Sequence, residues 1–240
     1  MPMSPEVKQR VQIALAAAIA LAGIRAGYIL YERHEQAQSE QKKAQGGALQ
    51  PDYYVVPKKL YPYDVKSAKQ LTQQPVWVKE GYRYTYYSYN LAQKRTDFSH
   101  EAGVLLPIEK LEIKDVVTDV TPGGGGQRQV MALFTKEGKN YAVPIGTLKD
   151  GNFQIYSDEM LFIQDPHELY RHWPPDIWKA VDDHEVKPGM NELMATFAIG
   201  MGIPESTGDS SVRVVRYPNG GKPLVITYNS GKASDIKPGT

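Results

Sequence analysis

Three of the five histidines lie close together in the segment DPHELYRHWPPDIWKAVDDH, from Asp165 to His184, which also holds two tryptophans. Imidazole nitrogen is a common protein ligand for zinc, copper and haem iron, so the segment is a candidate metal or haem site. However, His167 and His172 are five positions apart, which places their side chains about 140° apart around a helix. We therefore favour a folded, hydrogen-bonded hinge, and keep His167 and His172 as the candidate ligands.

Two other patterns could indicate catalysis or phosphate binding. Ser39 to Lys42 has the S-x-x-K spacing of some serine nucleophiles, but it lies in a polar stretch without the companion motifs. The glycine run 123–126 lacks the lysine and serine, and the helix, that follow a phosphate-binding loop. Motifs of hydrolases, zinc proteases and dinucleotide-binding folds are also missing from the sequence. We therefore expect a protein that is not an enzyme and has no catalytic residue, cofactor or metal.

The overall composition excludes several classes of protein. The chain of 240 residues has 28 Lys+Arg against 27 Asp+Glu, which argues against a nucleic-acid partner because phosphates require a concentrated basic face. It contains no cysteine, which excludes disulfides, thiolate zinc sites, iron–sulfur clusters and covalently attached c-type haem. Any membrane character must be local, since only 41% of the residues are hydrophobic.

The one long apolar segment runs from Val11 to Tyr31 and reads VQIALAAAIALAGIRAGYILY, with Arg25 as its only charged residue. A helix of this length spans roughly 30 Å, the thickness of a hydrocarbon core. We expect a retained transmembrane helix at residues 11–31. The alternative is a cleaved secretory signal, with small residues from Ala20 onwards as the cleavage site.

Small residues share one narrow face of this predicted helix, and two of them form a G-x-x-x-G pair. The four residues are Ala16, Ala20, Gly23 and Gly27. Small side chains let two backbones approach closely in lipid, so this face is the predicted contact for other integral-membrane subunits. The alternative is that alanine and glycine are simply common in such helices.

Arg25 lies about 180° from the small-residue face. A guanidinium inside a bilayer is costly unless it reaches the headgroups or meets an acceptor, so both snorkelling and a polar partner on a neighbouring subunit remain open. Tyr28 and Tyr31 fall near the end of the segment, where aromatic rings prefer the headgroup layer. We interpret these two tyrosines as interface anchors.

The rest of the chain predicts an α+β protein with a small antiparallel β-barrel-like module and a C-terminal helix-plus-β-hairpin module. Repeated prolines after residue 50 exclude a regular helix there, and short strands separated by glycine-containing turns follow between Leu111 and Ile163. The predicted regions are an N-terminal flank (1–10), the transmembrane helix (11–31), a polar helical stalk (32–50), a Tyr/Pro-rich extended segment (51–90), a β-rich module (91–164), and a helical hinge with the C-terminal module (165–240).

The β-rich region resembles a known module. The run from DVVTDV through RQVMALFTKEGKNYAVPIGTL to GNFQIYSDEML, within residues 111–163, is similar to a PRC-barrel, which is named for the H subunit of photosynthetic reaction centres. That subunit also combines one N-terminal membrane helix with a soluble domain. The resemblance implies a small β-barrel in a structural subunit of a photosynthetic or respiratory complex.

The C-terminal stretch, residues 186–236, resembles the small domain of the BamE (SmpA/OmlA) family of envelope proteins. The shared elements are the V-x-P-G-M start at Val186–Met190, a helix, the G-x-G-x-P break at Gly200–Pro204 and two strands. Gly200 should end the helix, and strands Val212–Tyr217 and Leu224–Tyr228 should pair as a hairpin. Family members usually carry a lipidated N-terminal cysteine, which this chain lacks. The resemblance therefore implies the fold and a scaffold role, without binding residues.

Together these features predict a single-pass, membrane-anchored, non-catalytic accessory or scaffold subunit of a multi-subunit bacterial membrane complex. Its expected partners are integral-membrane subunits and the lipid bilayer. The alternatives are a structural subunit of a reaction-centre, light-harvesting or respiratory complex, and an envelope or outer-membrane assembly factor. The predicted location is the bacterial inner membrane. We expect a periplasmic folded part, because the BamE-like match is longer and more specific than the PRC-like match, which suggests the cytoplasm.

Overall fold

The computed structural model describes residues 25, 51–120, 126–205 and 212–239. The chain divides into two compact units, Met1–Tyr54 and Val55–Thr240. In the first unit, Arg25 is helical and exposed, and Pro51–Tyr54 forms a 3-10 helix. The rest of the predicted membrane helix and the predicted stalk lie outside the described residues. Within the described ranges, no helix is long and apolar enough to cross a bilayer.

The second unit is a mixed α+β structure made mostly of antiparallel strands. Its strands are β1 (Val76–Val78), β2 (Thr85–Asn90), β3 (Arg95–Val104), β4 (Lys110–Leu111), β5 (Ile113–Val120), β6 (Arg128–Lys136), β7 (Lys139–Lys149), β8 (Asn152–Ile155), β9 (Leu161–Phe162), β10 (Ile203–Glu205), β11 (Val212–Tyr217), β12 (Leu224–Asn229) and β13 (Lys232–Pro238). Its α-helices are α1 (Val65–Ala68), α2 (Ser157–Met160), α3 (Pro166–Leu169), α4 (Pro175–Asp182) and α5 (Glu192–Ile199). Two 3-10 helices, Lys69–Gln73 and Asn219–Gly221, complete these elements.

The largest sheet has the order β3-β2-β7-β6-β5, with β8 also paired to β7. The sheet curls so that its two edge strands meet: the Thr96 backbone N–H at the start of β3 donates to Oδ2 of Asp119 near the end of β5, at 2.5 Å. The other carboxylate oxygen of Asp119 accepts the Val120 N–H at 2.7 Å. These bonds satisfy a buried carboxylate and hold the two edges of the sheet together.

Both faces of this sheet carry apolar side chains. One face, with Val116, Ala132 and Val143, packs against α1, the following 3-10 helix and the small sheet β4-β1-β9. The other face has a smaller cluster around Met131 and Ala142. A sheet buried on both faces reads as continuous hydrophobic runs, as VMALF in β6 does.

The C-terminal part of the unit is a four-stranded sheet, β10-β11-β12-β13, packed against α4 and α5. Asn191 caps α5 by accepting the Met194 N–H at 2.9 Å, and Gly200 ends the helix at a φ of 83°. The predicted termination at Gly200 is therefore confirmed. Ala195 and Phe197 face a core that they share with Tyr217 of the sheet.

The turn at Gly81 and Tyr82, which precedes β2 of the curled sheet, packs against the C-terminal part of the unit. Tyr82 has a positive φ of 64°, and its ring packs directly against two glycines of the C-terminal part. A Cβ added at Gly220 would lie 2.6 Å from the Tyr82 ring, and one added at Gly200 would lie 2.8 Å from the Gly81 carbonyl oxygen. Glycine is therefore needed at these positions for the backbone and ring to approach this closely.

Several elements differ from the prediction in extent. Residues 51–90, expected to be an extended segment, also contribute α1, β1 and β2. The strand expected around Met160–Ile163 is limited to β9, because Met160 ends α2. The C-terminal hairpin is present as β11 and β12, and the sheet gains β10 and β13 at its edges.

Candidate functional site

The candidate ligand His167 lies between two carboxylates of its own chain. Asp165 caps α3 by accepting the His167 backbone N–H at 2.9 Å, and its Oδ1 lies 3.0 Å from Nδ1 of the same residue. On the other side of the ring, Nε2 lies 3.1 Å from Oδ1 of Asp182. The ring stacks on Trp178 with a centroid distance of 4.0 Å. Both ring nitrogens are thus engaged: Nδ1 contacts the cap of its own helix α3, and Nε2 fastens α3 to α4.

His172 is not brought into a ligand group with His167. Helix α3 ends at Leu169, so His172 lies beyond it, with its ring beside those of Tyr170 and Trp173. Among the described residues, no three or more His, Cys, Asp and Glu side chains are grouped so that they could hold a metal ion. The sequence analysis missed Asp165 and Asp182 as partners of His167. Asp182 lies fifteen positions after His167 and in another helix, so no periodic pattern in the sequence predicts their contact.

A serine, a histidine and an aspartate meet on the exposed strand β3, but not as a catalytic triad. Ser99 Oγ lies 2.9 Å from Nδ1 of His100, and the same hydroxyl also donates to the Asp97 carboxylate. The Asp97 carboxylate faces Nδ1 as well, at 3.7 Å. A triad needs the carboxylate and the serine on opposite ring nitrogens, so that one orients the base that activates the other. This cluster instead shapes the bulged edge of the sheet.

A cavity of about 400 Å³ lies beside the smaller apolar cluster of the curled sheet, with Tyr89 and Leu133 among its lining residues. Two charged residues on its rim already have partners in the same chain. Lys114 Nζ lies 2.8 Å from the Glu112 carboxylate, and the Asp115 carboxylate lies 2.8 Å from Lys69 Nζ. These ion pairs are exposed, so they add little stability, but they occupy two of the three charged side chains that line the cavity, the third being Lys94.

Residues 55–63, VVPKKLYPY, form an extended segment that we call the tyrosine–lysine strap. Val55 packs on the C-terminal core and Leu60 on the core of the curled sheet. The exposed side chains, which we call the outward side of the strap, are Val56, Lys58, Lys59, Tyr61 and Tyr63. The sequence predicts this stretch only as extended. Lys58 and Lys59 are exposed in succession, so no alternation in the sequence marks the outward side chains.

A third lysine lies near the strap. Lys79 is half-buried, and its pKa is lowered first by burial and next by the charge of Lys59, while the carboxylates of Asp158, Glu80 and Glu159 raise it. Its ammonium group donates to the Asp158 carbonyl oxygen. Lys59 is therefore the single charge that affects Lys79 most, while three carboxylates act on the same ammonium group in the opposite direction.

The residues predicted for membrane contact are in the first unit. Arg25 is helical and exposed there, in agreement with a helical segment at that position. Ala16, Ala20, Gly23, Gly27, Tyr28 and Tyr31 lie outside the described residues. Their roles as packing face and interface anchors stay predictions.

Comparison with known proteins finds no family model, no curated protein and no solved structure that matches this chain. The resemblances to PRC-barrels and to the BamE family therefore stay predictions that depend on the residues quoted for them.

Proposed function

We propose that the chain is a single-pass, membrane-anchored, non-catalytic accessory or scaffold subunit of a bacterial inner-membrane complex, with its folded part in the periplasm. The observation that carries this proposal is one 21-residue apolar segment, residues 11–31, followed by the compact unit Val55–Thr240. One span of this length anchors a chain, but it cannot enclose a transport path by itself. Its partners are the bilayer and other integral-membrane subunits, reached through the small-residue face.

The contacts of the folded unit support a scaffold role. The polar clusters that could suggest chemistry, around His167 and Ser99, connect or shape secondary structure. Gly200 and Gly220 lie close to the Gly81–Tyr82 turn, which precedes the curled sheet. This contact packs the C-terminal part and the curled sheet into one body. Such a body, tethered at one end, is suited to bracing a protein surface at the membrane.

Two more specific roles each have an observation in their favour. An envelope assembly factor is favoured by the order of residues 175–238, in which two helices precede an antiparallel sheet with a turn at Gly231-Lys232. A structural subunit of a reaction-centre, light-harvesting or respiratory complex is favoured by the curled antiparallel sheet from Thr85 to Ile155. The envelope role is our second candidate, because its resemblance is the more specific.

Isolation of the native complex tests the proposal. A chain tagged after Thr240 would be extracted from its own membranes in mild detergent and analysed by intact-complex mass spectrometry. We expect a hetero-oligomer that also contains integral-membrane subunits. Pigment or haem absorbance would indicate an energy-converting complex, whereas outer-membrane assembly proteins would indicate the envelope role. A chain released by a salt wash as a soluble monomer would refute the proposal.

A matched pair of variants tests the packing face. Replacing Gly23 and Gly27 with leucine should reduce recovery of the partner subunits, because bulky side chains keep the two backbones apart. The control is Leu21→Ile, which keeps apolar volume on the opposite side of the helix. Equal recovery of partners in both variants would remove the small-residue face from the proposal.

A further inference from the structure

The outward side of the tyrosine–lysine strap exposes large apolar side chains, and the strap itself contains no acidic residue. Val56, Tyr61 and Tyr63 are 84%, 68% and 78% exposed. Lys58 and Lys59 lie between them, and residues 55–63 contain no carboxylate. Exposed tyrosine rings beside lysines combine apolar surface, hydroxyl donors and positive charge in one stripe.

The backbone that presents this stripe is fixed at both ends. The Lys58 N–H donates to Oε1 of Gln164 at 2.7 Å, and the Tyr63 N–H donates to Oγ of Ser67 at 3.0 Å. Asp64 then caps α1 by accepting the Ser67 N–H at 2.6 Å. Prolines at positions 57 and 62 restrict the chain further. The outward side chains are therefore arranged before any partner arrives, which lowers the entropic cost of binding.

The chemistry of the stripe fits an anionic headgroup layer. Amphipathic aromatic rings and lysine ammonium groups are the side chains that settle at a bilayer surface, and anionic phospholipids attract clustered cations there. A fluid layer can adapt to any spacing of rings and ammonium groups. A protein partner would need acidic groups at matching positions.

Chain position adds to this argument. Residues 32–54 separate the predicted membrane helix from the strap, and even a fully extended tether of this length reaches no further than about 80 Å. A tethered surface meets the bilayer at high effective concentration, so weak individual contacts are enough to hold it there.

We propose that Val56, Lys58, Lys59, Tyr61 and Tyr63 lie on the anionic headgroup layer of the bilayer that anchors the chain. The inference rests on the proposed membrane anchor. It makes the strap a second membrane contact, which sets the orientation of the folded unit relative to the bilayer.

Site-specific labelling of the full chain tests this contact. The native chain has no cysteine, so Tyr61→Cys gives one labelling site for an environment-sensitive fluorophore, and Asn152→Cys gives an exposed control site. The labelled chain would be placed in nanodiscs of phosphatidylcholine, with or without phosphatidylglycerol, that contain headgroup nitroxides. We expect quenching at residue 61 to be at least about twofold stronger with phosphatidylglycerol than without it. We expect no such difference at residue 152.

Charge-reversal variants separate specific contact from net charge. Lys58→Glu with Lys59→Glu should abolish the phosphatidylglycerol effect, whereas the matched reversal of Lys139 and Lys149, both exposed, should preserve it. Circular dichroism checks that both variants are folded. Equal quenching at residues 61 and 152 in chains that have entered the nanodiscs would overturn the strap contact but leave the anchor intact.

Three other results would also overturn the inference. If quenching at residue 61 does not depend on phosphatidylglycerol, the strap does not recognise an anionic headgroup. A photo-crosslinker at position 61 that captures a protein in native membranes, instead of lipid, would assign the stripe to a protein partner. Failure of the full chain to enter nanodiscs would refute the proposed anchor, and the strap contact with it.

Discussion

Tyr217 and Tyr228 form a buried pair in the C-terminal sheet, with their hydroxyl oxygens 2.8 Å apart. They lie on neighbouring strands, and their side chains are almost fully enclosed. One hydroxyl donates and the other accepts, so each satisfies a polar atom that water cannot reach. This bond offsets part of the desolvation penalty of placing two tyrosine hydroxyls in the core.

The first prediction concerns the coupling of this pair. Tyr217→Phe or Tyr228→Phe alone leaves one buried hydroxyl without its partner and should cost about 1–3 kcal/mol of unfolding free energy. The double variant should cost less than the sum of the two, by on the order of 1 kcal/mol, because it removes both polar groups. Equilibrium chemical denaturation of the wild type, the two single variants and the double variant measures this coupling. Strictly additive costs would show that the hydroxyls do not interact.

The second prediction concerns alkaline pH. Burial raises the pKa of Tyr84 and of Tyr228 from the usual value near 10 to about 12. Between pH 10 and 12 the folded protein keeps these protons while the unfolded chain loses them. Stability is therefore complete below pH 10 and falls as pH rises through this window. The slope of unfolding free energy against pH is proportional to the number of protons that unfolding releases. In Tyr84→Phe this number should fall by close to one, so the slope should be shallower. Denaturation at several pH values measures this slope, and an unchanged slope would contradict the burial effect.

At the scale of residues, the sequence indicated which side chains deserve attention but not what they contact. The histidine–tryptophan segment is predicted as folded and hydrogen-bonded, and in the structure Asp165 caps a helix that begins at Pro166. The bond from His167 to Asp182 depends on how α3 and α4 cross, and no local pattern encodes that crossing.

At the scale of elements, α5 is a short helix whose start relies on its cap. Asn191 accepts the Met194 N–H, and the two residues also form the reciprocal contact of a capping box. The third prediction is that Asn191→Ala destabilises the protein by about 1 kcal/mol, whereas Asn191→Ser, which keeps an acceptor, costs only a few tenths. Thermal or chemical denaturation measures both. Equal costs for the two substitutions would mean that side-chain capping is not what holds this end.

Elements with strong local signals were predictable, and edge strands were not. The hairpin β11–β12 follows from two apolar runs around Pro218-Asn219-Gly220-Gly221. In contrast, β3 is mostly exposed and its register is broken by bulges, so its sequence lacks the alternation that marks a strand. β13 contains lysines, an aspartate and a proline, as exposed edges often do, and these residues conceal the strand from pattern analysis.

At the scale of the whole folded unit, no pattern in the sequence predicts the contact between the Gly81–Tyr82 turn and the C-terminal part. Tyr82 takes up a left-handed conformation that is unusual for a tyrosine, and its ring is positioned by glycines more than 100 residues away. The glycines after Pro218 were predicted as turn residues. Their second role, as space for the Tyr82 ring, depends on long-range packing.

Adjacent glycines in that turn allow a matched test of this contact. Gly220 and Gly221 both have positive φ values, 59° and 94°, so alanine at either position meets backbone strain, and this strain is larger at Gly221, whose φ lies outside the left-handed region. Only at Gly220 would the new Cβ meet the Tyr82 ring, at 2.6 Å; at Gly221 nothing lies within 4 Å. The fourth prediction is that Gly220→Ala destabilises the protein by about 1–3 kcal/mol more than Gly221→Ala, as expected for overpacking.

The same variants show whether the curled sheet and the C-terminal sheet are energetically coupled. If the Tyr82 contact transmits stability between them, Gly220→Ala should speed hydrogen exchange at Tyr86 in the curled sheet as well as at Ile226 in the C-terminal sheet. Adding Tyr82→Ala removes the ring and should abolish the extra cost of Gly220→Ala. Faster exchange confined to Ile226 would mean that the sheets pack together but unfold separately. The proposed bracing role instead predicts that both protections are lost together.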